Sequence, residues 1–438
     1  MVKTVFIILL SLFLIVTLGI ILYSFYQYYI LFNSMFIKIG YGIILGFTSL
    51  VIFRYMLLLF FSIFRTIQRS AEETYQIDPK QRYPKVSVIV PAYNEAKTIA
   101  TSISSLLTQN YPNLEIIVVD DGSSDETYFK AKQFEHNEFC KEIRVFRKKN
   151  EGKSKAINYG IERSTGELIF VMDADSKISQ NAILLLARHF EDPDIAAVAG
   201  SVYVSNQVNL ITKLQALEYI EGLNMVRNGQ AFLKAVNIIP GPVGMFRKNA
   251  LYNVGLYDHD TFAEDCDVTL KLIAKGYKID FEPEAVAYTE APENLLDLIK
   301  QRYRWTRGIL QAIRKHRNLL WNFKENTTAS MVMWYMLFES LFWPFADIWV
   351  NIFVLYWAVT SGMSIFIFYW WSIFTILDVA GALYCILLTG EKLGLVFYAV
   401  YYRIFFIETI NLAKIFASIE EFMGIQMSWG KLERKGHL

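Results

Sequence analysis

Three short polar clusters stand directly after apolar runs: Pro91-Ala92-Tyr93-Asn94-Glu95, Asp120-Asp121-Gly122-Ser123 and Asp173-Ala174-Asp175. Asp173 and Asp175 flank a single residue, so a bend at Ala174 brings both carboxylates to one ion. Carboxylate oxygens suit a hard divalent cation such as Mg²⁺ or Mn²⁺, which commonly keeps waters and shares phosphate oxygens. A nucleoside diphosphate is the natural companion. The sequence has no P-loop or GxGxxG to wrap phosphates, so the ion and a nearby cation must neutralise them. Lys153, in Asn150-Glu151-Gly152-Lys153, is the candidate cation. Taken singly, each carboxylate reads equally as a helix cap or turn residue, and Lys153 as a solvated lysine at a helix start. The argument for chemistry rests on their clustering.

The surrounding pattern explains that clustering. Strands are predicted at Val86–Val90, Glu115–Val119, Ile143–Phe146 and Leu168–Val171, with helices at Thr98–Leu107, from about Asp125, and at Lys153–Arg163. Alternating strands and helices predict an α/β fold with a parallel sheet covered on both faces. In such sheets ligands bind beyond the carboxyl ends of the strands, where the three clusters lie.

This soluble-looking block occupies only the middle of 438 residues that are 54% hydrophobic and 19% charged, with 43 Lys+Arg against 42 Asp+Glu. The balance of +1 gives no general attraction to nucleic acid. Cys140, Cys266 and Cys385 lie far apart, which speaks against a disulfide framework or structural zinc. The excess apolarity sits at both ends. Val5–Ile30 and Gly40–Phe64 read as two spans, and the Arg65 and Arg69 that follow place the next block in the cytoplasm. Apolar stretches return at Ala329–Thr360, Met363–Thr389 and Leu395–Phe416. The expected organisation is a membrane block over 1–69, a cytoplasmic domain over 70–325 with interfacial helices near its end, and a second membrane block with a short basic tail over 326–438. In the last stretch Arg403, Glu408, Asn411 and Lys414 form one polar stripe, readable as the lining of a bundle interior or as the wet face of a helix in the headgroup plane. Lys431, Arg434 and Lys435 suggest an inside tail, which three late spans would contradict. Either the Leu395 segment is interfacial or Ala329–Thr360, broken at Pro344, makes two partial crossings.

Gln301, Arg304 and Trp305 recur at spacings of three and four and so share a face of any helix through them. Trp305 can stack on a sugar ring and Arg304 can fork onto phosphate. The seven Lys/Arg of Lys300–Arg317, with no Asp or Glu, also suit a helix lying on anionic headgroups. The Pro240-Gly-Pro-Val-Gly-Met-Phe-Arg247 loop suits close backbone approach to a ligand, or is an ordinary connection.

Read in order, Val88-Ile-Val-Pro-Ala-Tyr-Asn-Glu95, Asp120-Asp-Gly-Ser123, Asp173-Ala-Asp175, Ala263-Glu-Asp265 and Gln301-Arg-Tyr-Arg-Trp305 resemble the motif series of family 2 glycosyltransferases. The likeness is to the membrane-embedded processive branch that includes poly-N-acetylglucosamine, cellulose and hyaluronan synthases. It implies a GT-A (Rossmann-like) glycosyltransferase domain set between N-terminal and C-terminal transmembrane helices. It further implies an inverting β-glycosyltransferase that polymerises a UDP-sugar, UDP-N-acetylglucosamine first, and passes the polysaccharide across the cell (inner) membrane, in which it is multi-pass with a cytoplasmic catalytic domain. The alternatives are transfer of a single sugar to a lipid acceptor, a UDP-glucose or two-sugar polymer, and an inactive scaffold.

By the same resemblance, Tyr93, Glu95, Asp121, Lys153 and Asp173 correspond to donor contacts and Asp173 and Asp175, the DxD pair, to ligands of Mg²⁺ or Mn²⁺. Gln301, Arg304 and Trp305, the QxxRW motif, correspond to acceptor and diphosphate contacts. Asp265 corresponds to the catalytic base, with Glu264 open as an alternative. The threonine of the family's TED motif is Ala263 here, which leaves both carboxylates in place. Implied partners are the UDP-sugar, a growing glycan or lipid acceptor and membrane lipids. An accessory membrane subunit fits the pattern, and nucleic acid does not.

Overall fold

The computed structural model describes residues 15, 19, 35–71, 83–136, 142–361, 364–426 and 436. The expected span Val5–Ile30, Cys140 and the basic residues of the tail fall outside them, apart from isolated positions in the first. Helix α1 (Met35–Ala71) contains the second expected span and leads towards an eight-stranded sheet of order β3-β2-β1-β4-β7-β6-β8-β5. Strands β1 (Val86–Ala92) and β2 (Leu114–Asp120) are buried at every position, as strands covered on both faces must be. They pair in parallel with each other, β1 with β4 (Leu168–Val171) and β2 with β3 (Glu142–Arg147). Helices α2 (Ile99–Leu107) and α3 (Lys153–Glu162) lie between them in sequence, close to the expected bounds. Pro91 is tolerated in a central strand because the β1–β4 ladder ends at Ile89 and Val171, so its missing N–H removes no bond.

The remaining half is not the parallel sheet that the alternation predicts. Beyond β4 the sheet is mixed: β7 (Gly244–Arg247) runs antiparallel between β4 and β6 (Ile195–Val204), and β5 (Ser176–Ile178) antiparallel to β8 (Lys278–Thr289). Only β6 and β8 are parallel there. Strands of three and four residues are too short to show a period, which is why the pattern of the first half does not reveal them. Between β6 and β7 the chain makes helix α4 (Leu210–Leu217), a π-helical turn over Glu218–Met225, and helix α5 (Val226–Phe232).

After β7, helices α6 (Glu264–Ala274) and α7 (Leu295–Lys315) carry the last two motifs. Helix α8 (Thr327–Leu337) continues through a π turn at Phe338–Phe342 into α9 (Trp343–Ser361). Pro344 therefore sits at the start of a resumed helix and does not break the segment in two, since the first turn has free N–H positions. Helix α10 (Ser364–Thr389) and the segment ending in α11 (Ile407–Phe422) follow. Among the described residues, Lys38–Arg69, Thr327–Thr360 and Leu393–Phe422 are long and apolar enough to cross a membrane, and Phe374–Thr389 is a shorter apolar helix.

The polar stripe of the last segment faces other helices. Arg403 makes two bonds of 2.7 Å to Asp378 on α10, while Glu408 accepts from Asn351 at 2.9 Å and Asn411 donates to Asp347 at 2.8 Å, both on α9. At the other end of the bundle, Arg65 of α1 reaches Asp280 of β8 at 3.1 Å and Arg69 reaches Glu282 at 2.7 Å. His189 lies between the same two carboxylates, 2.9 Å from each. The helix that holds the second expected span is thus tied to the sheet through charge pairs.

Candidate active site

The three clusters do meet at one strand edge. Asp121 N–H donates to the Ala92 carbonyl at 2.8 Å, and Asn94 N–H to Ser123 Oγ at 2.8 Å, so the ends of β1 and β2 are laced together. Tyr93 projects from this edge, 43% exposed, whereas Glu95 also serves locally, accepting from Thr98 at the start of α2. Asp121 is buried, and its carboxylate accepts from Lys148 at 2.8 Å, Gly152 N–H at 2.8 Å and Glu151 N–H at 3.2 Å. Its visible work is to hold the loop that delivers Lys153.

Lys153 opens α3, and its ammonium lies 2.7 Å from Asp173 Oδ1 and 2.7 Å from Glu264 Oε1. That single cation joins the edge of β4 to the start of α6. After β4 the chain turns through Asp173-Ala174-Asp175, closed by Ser176 N–H on the Asp173 carbonyl at 3.1 Å, which supplies the bend required at Ala174. The Pro240–Gly244 loop also reaches the site: a Cβ at Gly241 would stand 2.8 Å from Asp173 Oδ2 and 3.1 Å from Lys153 Nζ. A side chain there would crowd the Asp173 carboxylate and the Lys153 ammonium. The sequence offered the loop as equally an ordinary connection; its approach to Asp173 is the added finding.

Burial and the adjacent Asp175 charge raise the Asp173 carboxyl above its ordinary range, with Lys153 acting against them. Two carboxylates that one ammonium does not fully balance, all oxygen donors, form a set suited to a hard divalent cation. A second acidic group, Asp258, Asp260 and Asp267, does not compete for that role. Lys315 already bonds all three at 2.6, 2.7 and 3.0 Å, and His316 bonds Asp267 at 2.7 Å. These carboxylates form a joint between α6, α7 and the loop before them.

Glu264 and Asp265, adjacent in sequence, part in character. Burial would raise Glu264, but the Lys153 ammonium outweighs it and holds that carboxyl below its usual value. Asp265 has no such partner, and burial together with the Glu264 charge pushes it up to about 6. Its Oδ1 accepts from Cys266 N–H at 2.7 Å, which fixes the carboxylate at the first turn of α6. Tyr257 is buried beside this pair, its hydroxyl held protonated by burial and by both negative charges. Nothing in its local sequence marks it.

Helix α7 places Arg304 and Trp305 half-buried, with the Arg304 charge acting on Glu264. Trp305 packs against Tyr219 with ring centroids 6.5 Å apart, and the Arg302 guanidinium stands 4.3 Å over its ring. Gln301 shares their side of the helix but is buried, and its side-chain oxygen accepts from Arg302. The joint surface is therefore Arg304 and Trp305, with Gln301 beneath. Arg302 pairs with Glu218 of the π turn, Arg307 with Glu421 of α11 at 2.9 Å, and Lys315 with the three aspartates. Three of the seven basic residues read as a headgroup-facing stripe are thus paired inside the protein. Periodicity could not show this, because the partners are distant in sequence.

Gly308 brings α7 flush against the residue before Glu264: a Cβ there would lie 2.7 Å from Ala263 N and Cβ and 2.8 Å from the Phe262 carbonyl carbon. Gly308→Ala would gain about 1 kcal/mol of helix propensity in an ordinary helix. Here the contact is with backbone, and overpacking of about 1–3 kcal/mol opposes that gain. The expected result is a lower melting temperature and reduced turnover, measured by thermal unfolding in detergent and by activity.

Comparison with known proteins follows the same lines. The family model described as Glycosyl transferase family 2 matches residues 87–255. A poly-beta-1,6-N-acetyl-D-glucosamine synthase of Staphylococcus aureus strain COL is 34% identical over 276 residues, covering 62% of this chain and 64% of the relative. The Staphylococcus epidermidis protein of that name is 32% identical over 263 residues, covering 60% and 62%. The chain thus matches less than two thirds of these relatives' length. Among solved structures, a mannosyltransferase from Pyrobaculum calidifontis, in complex with GDP-mannose and Mn²⁺, superposes with a TM-score of 0.63 at 20% identity, covering 88% of this chain and 99% of that one.

Proposed function

We propose, on the match of residues 87–255 to the Glycosyl transferase family 2 model and the fold shared with the mannosyltransferase, that the chain is a polymerising, inverting β-glycosyltransferase of the cell membrane, drawing a UDP-sugar from the cytoplasm and passing its polysaccharide across the bilayer. The observation that carries this reading is one cluster: Lys153 bridging Asp173 and Glu264, with Asp265 beside them poised near neutrality. UDP-N-acetylglucosamine is the first donor, on the likeness to the staphylococcal synthases. The helices long enough to span, and the inward-facing stripe of the last one, support multi-pass insertion, and the basic Arg65 and Arg69 at the end of α1 favour a catalytic domain on the cytoplasmic side.

In this reading Tyr93, Glu95 and Asp121 shape the nucleoside end of the donor site. Asp173 and Asp175 would hold Mg²⁺ or Mn²⁺, which when bound neutralises charge on the donor diphosphate. Lys153 and Arg304 would add fixed positive charge where negative charge develops on the leaving diphosphate. Trp305 offers a face for the acceptor sugar, with Gln301 supporting it from below. Asp265 takes the proton of the acceptor hydroxyl as its oxygen attacks the anomeric carbon opposite the departing diphosphate.

Purified full-length protein given radiolabelled UDP-sugars with Mg²⁺ or Mn²⁺ tests the reading. The expected product is a ladder of oligosaccharides from UDP-N-acetylglucosamine. A single glycolipid would replace polymerisation with one-sugar transfer, and a ladder from UDP-glucose alone would change the donor.

A further inference from the structure

Among the described residues, the buried arginines are matched with carboxylates, with one exception. Arg65, Arg302 and Arg307 each have an acidic partner within ion-pair distance. Arg227, in the first turn of α5, is 7% exposed, yet no carboxylate lies within that distance of it among the described residues. Its single hydrogen bond goes to Asn224 Oδ1 at 3.5 Å, the outer limit for such a contact. A guanidinium has five N–H donors, and leaving a charge of this kind buried and unmatched is costly. Burial accordingly pushes Arg227 down to about 10, the Asp265 charge acting most strongly against it and Tyr219 next.

Those two neighbours locate the group. Asp265 opens α6, and Tyr219 of the π turn packs against Trp305 of α7. The π turn packs against α7, with Glu218 bonding Arg302 and Tyr219 meeting Trp305, and its Asn224 touches Arg227. We propose that Arg227 is an acceptor-binding residue, whose N–H groups donate to hydroxyl and acyl oxygens of the terminal acceptor sugar and so hold its reacting hydroxyl at Asp265. The assignment rests on the glycosyltransferase reading above. An oxygen-rich neutral ligand completes the missing bonds without placing a second negative charge beside Asp265.

The test uses the full-length protein in detergent, UDP-N-acetylglucosamine with Mn²⁺, and a short β-linked N-acetylglucosamine oligosaccharide as acceptor, following UDP release with and without the oligosaccharide. For Arg227→Gln, losing hydrogen bonds from a charged donor should raise the acceptor KM by about 10–100-fold. Acceptor-independent UDP release and the thermal shift on adding UDP should stay close to wild type. Arg227→Lys, which keeps the charge but not the fork, should fall between. An unchanged acceptor KM in Arg227→Gln overturns the assignment, as does a parallel loss of acceptor-independent release, which would mark a packing role. If the wild type releases UDP from no UDP-sugar, the underlying reading falls and takes the assignment with it.

Discussion

Asp265→Asn should reduce sugar transfer by about 10²–10⁴-fold, the range for removing a general base. The amide is isosteric, can still accept from Cys266 N–H, and leaves the Lys153 bridge intact, so UDP binding and melting temperature should change little. The pH profile supplies the sharper measurement. A base works deprotonated, and the folded carboxyl titrates at about 6, so wild-type transfer should climb with pH through that value and level off above it. In Asp265→Asn the residual rate should lose this rising limb. A variant that retains both the rate and the limb would move the proton acceptor elsewhere, and Glu264→Gln would then be the variant to examine.

Lys153→Met should lower kcat/KM by about a hundredfold, the order expected when one partner of a hydrogen-bonded charge pair is removed. The side chain keeps its length and loses its ammonium, leaving Asp173 and Glu264 without the cation both now touch at 2.7 Å. Two opposite binding effects should follow. UDP should bind more weakly, because a positive charge facing the diphosphate has gone. Mn²⁺ alone should bind more tightly, because Asp173 no longer shares its oxygens with an ammonium. Glu264 should also lose its depressed pKa and titrate higher, and Asp265, which the same ammonium also holds down, should lose that restraint. Isothermal titration with Mn²⁺ and with UDP separates the effects, and weakening of both would indicate collapse of the pocket instead.

The first half of the sheet was open to reading because β1 and β2 are covered on both faces and appear as unbroken apolar runs ending in polar residues. Clustering of Tyr93, Asp121 and Asp173 at one edge followed from that alone. The later strands β5 and β7 have three and four residues and no period of their own, so the mixed sheet was out of reach. The contacts that complete the site were hidden for another reason. Glu218 meets Arg302 across 84 positions, and the Asp265 charge acts on Arg227 from a different element, so local spacing gives neither away. Spacing did put Gln301 on a face with Arg304 and Trp305; it could not tell that this flank of the face is covered.

Helix α7 is held on two sides by residues that are neighbours in the chain. Gly308 lies against Ala263 and Phe262, immediately ahead of Asp265, while Arg307 bonds Glu421 and the Ile425 carbonyl at the far end of the last apolar segment. One peptide unit therefore joins two distant parts of the chain: the end of the last apolar helix and the turn that leads into the helix bearing Asp265 are both fastened to it.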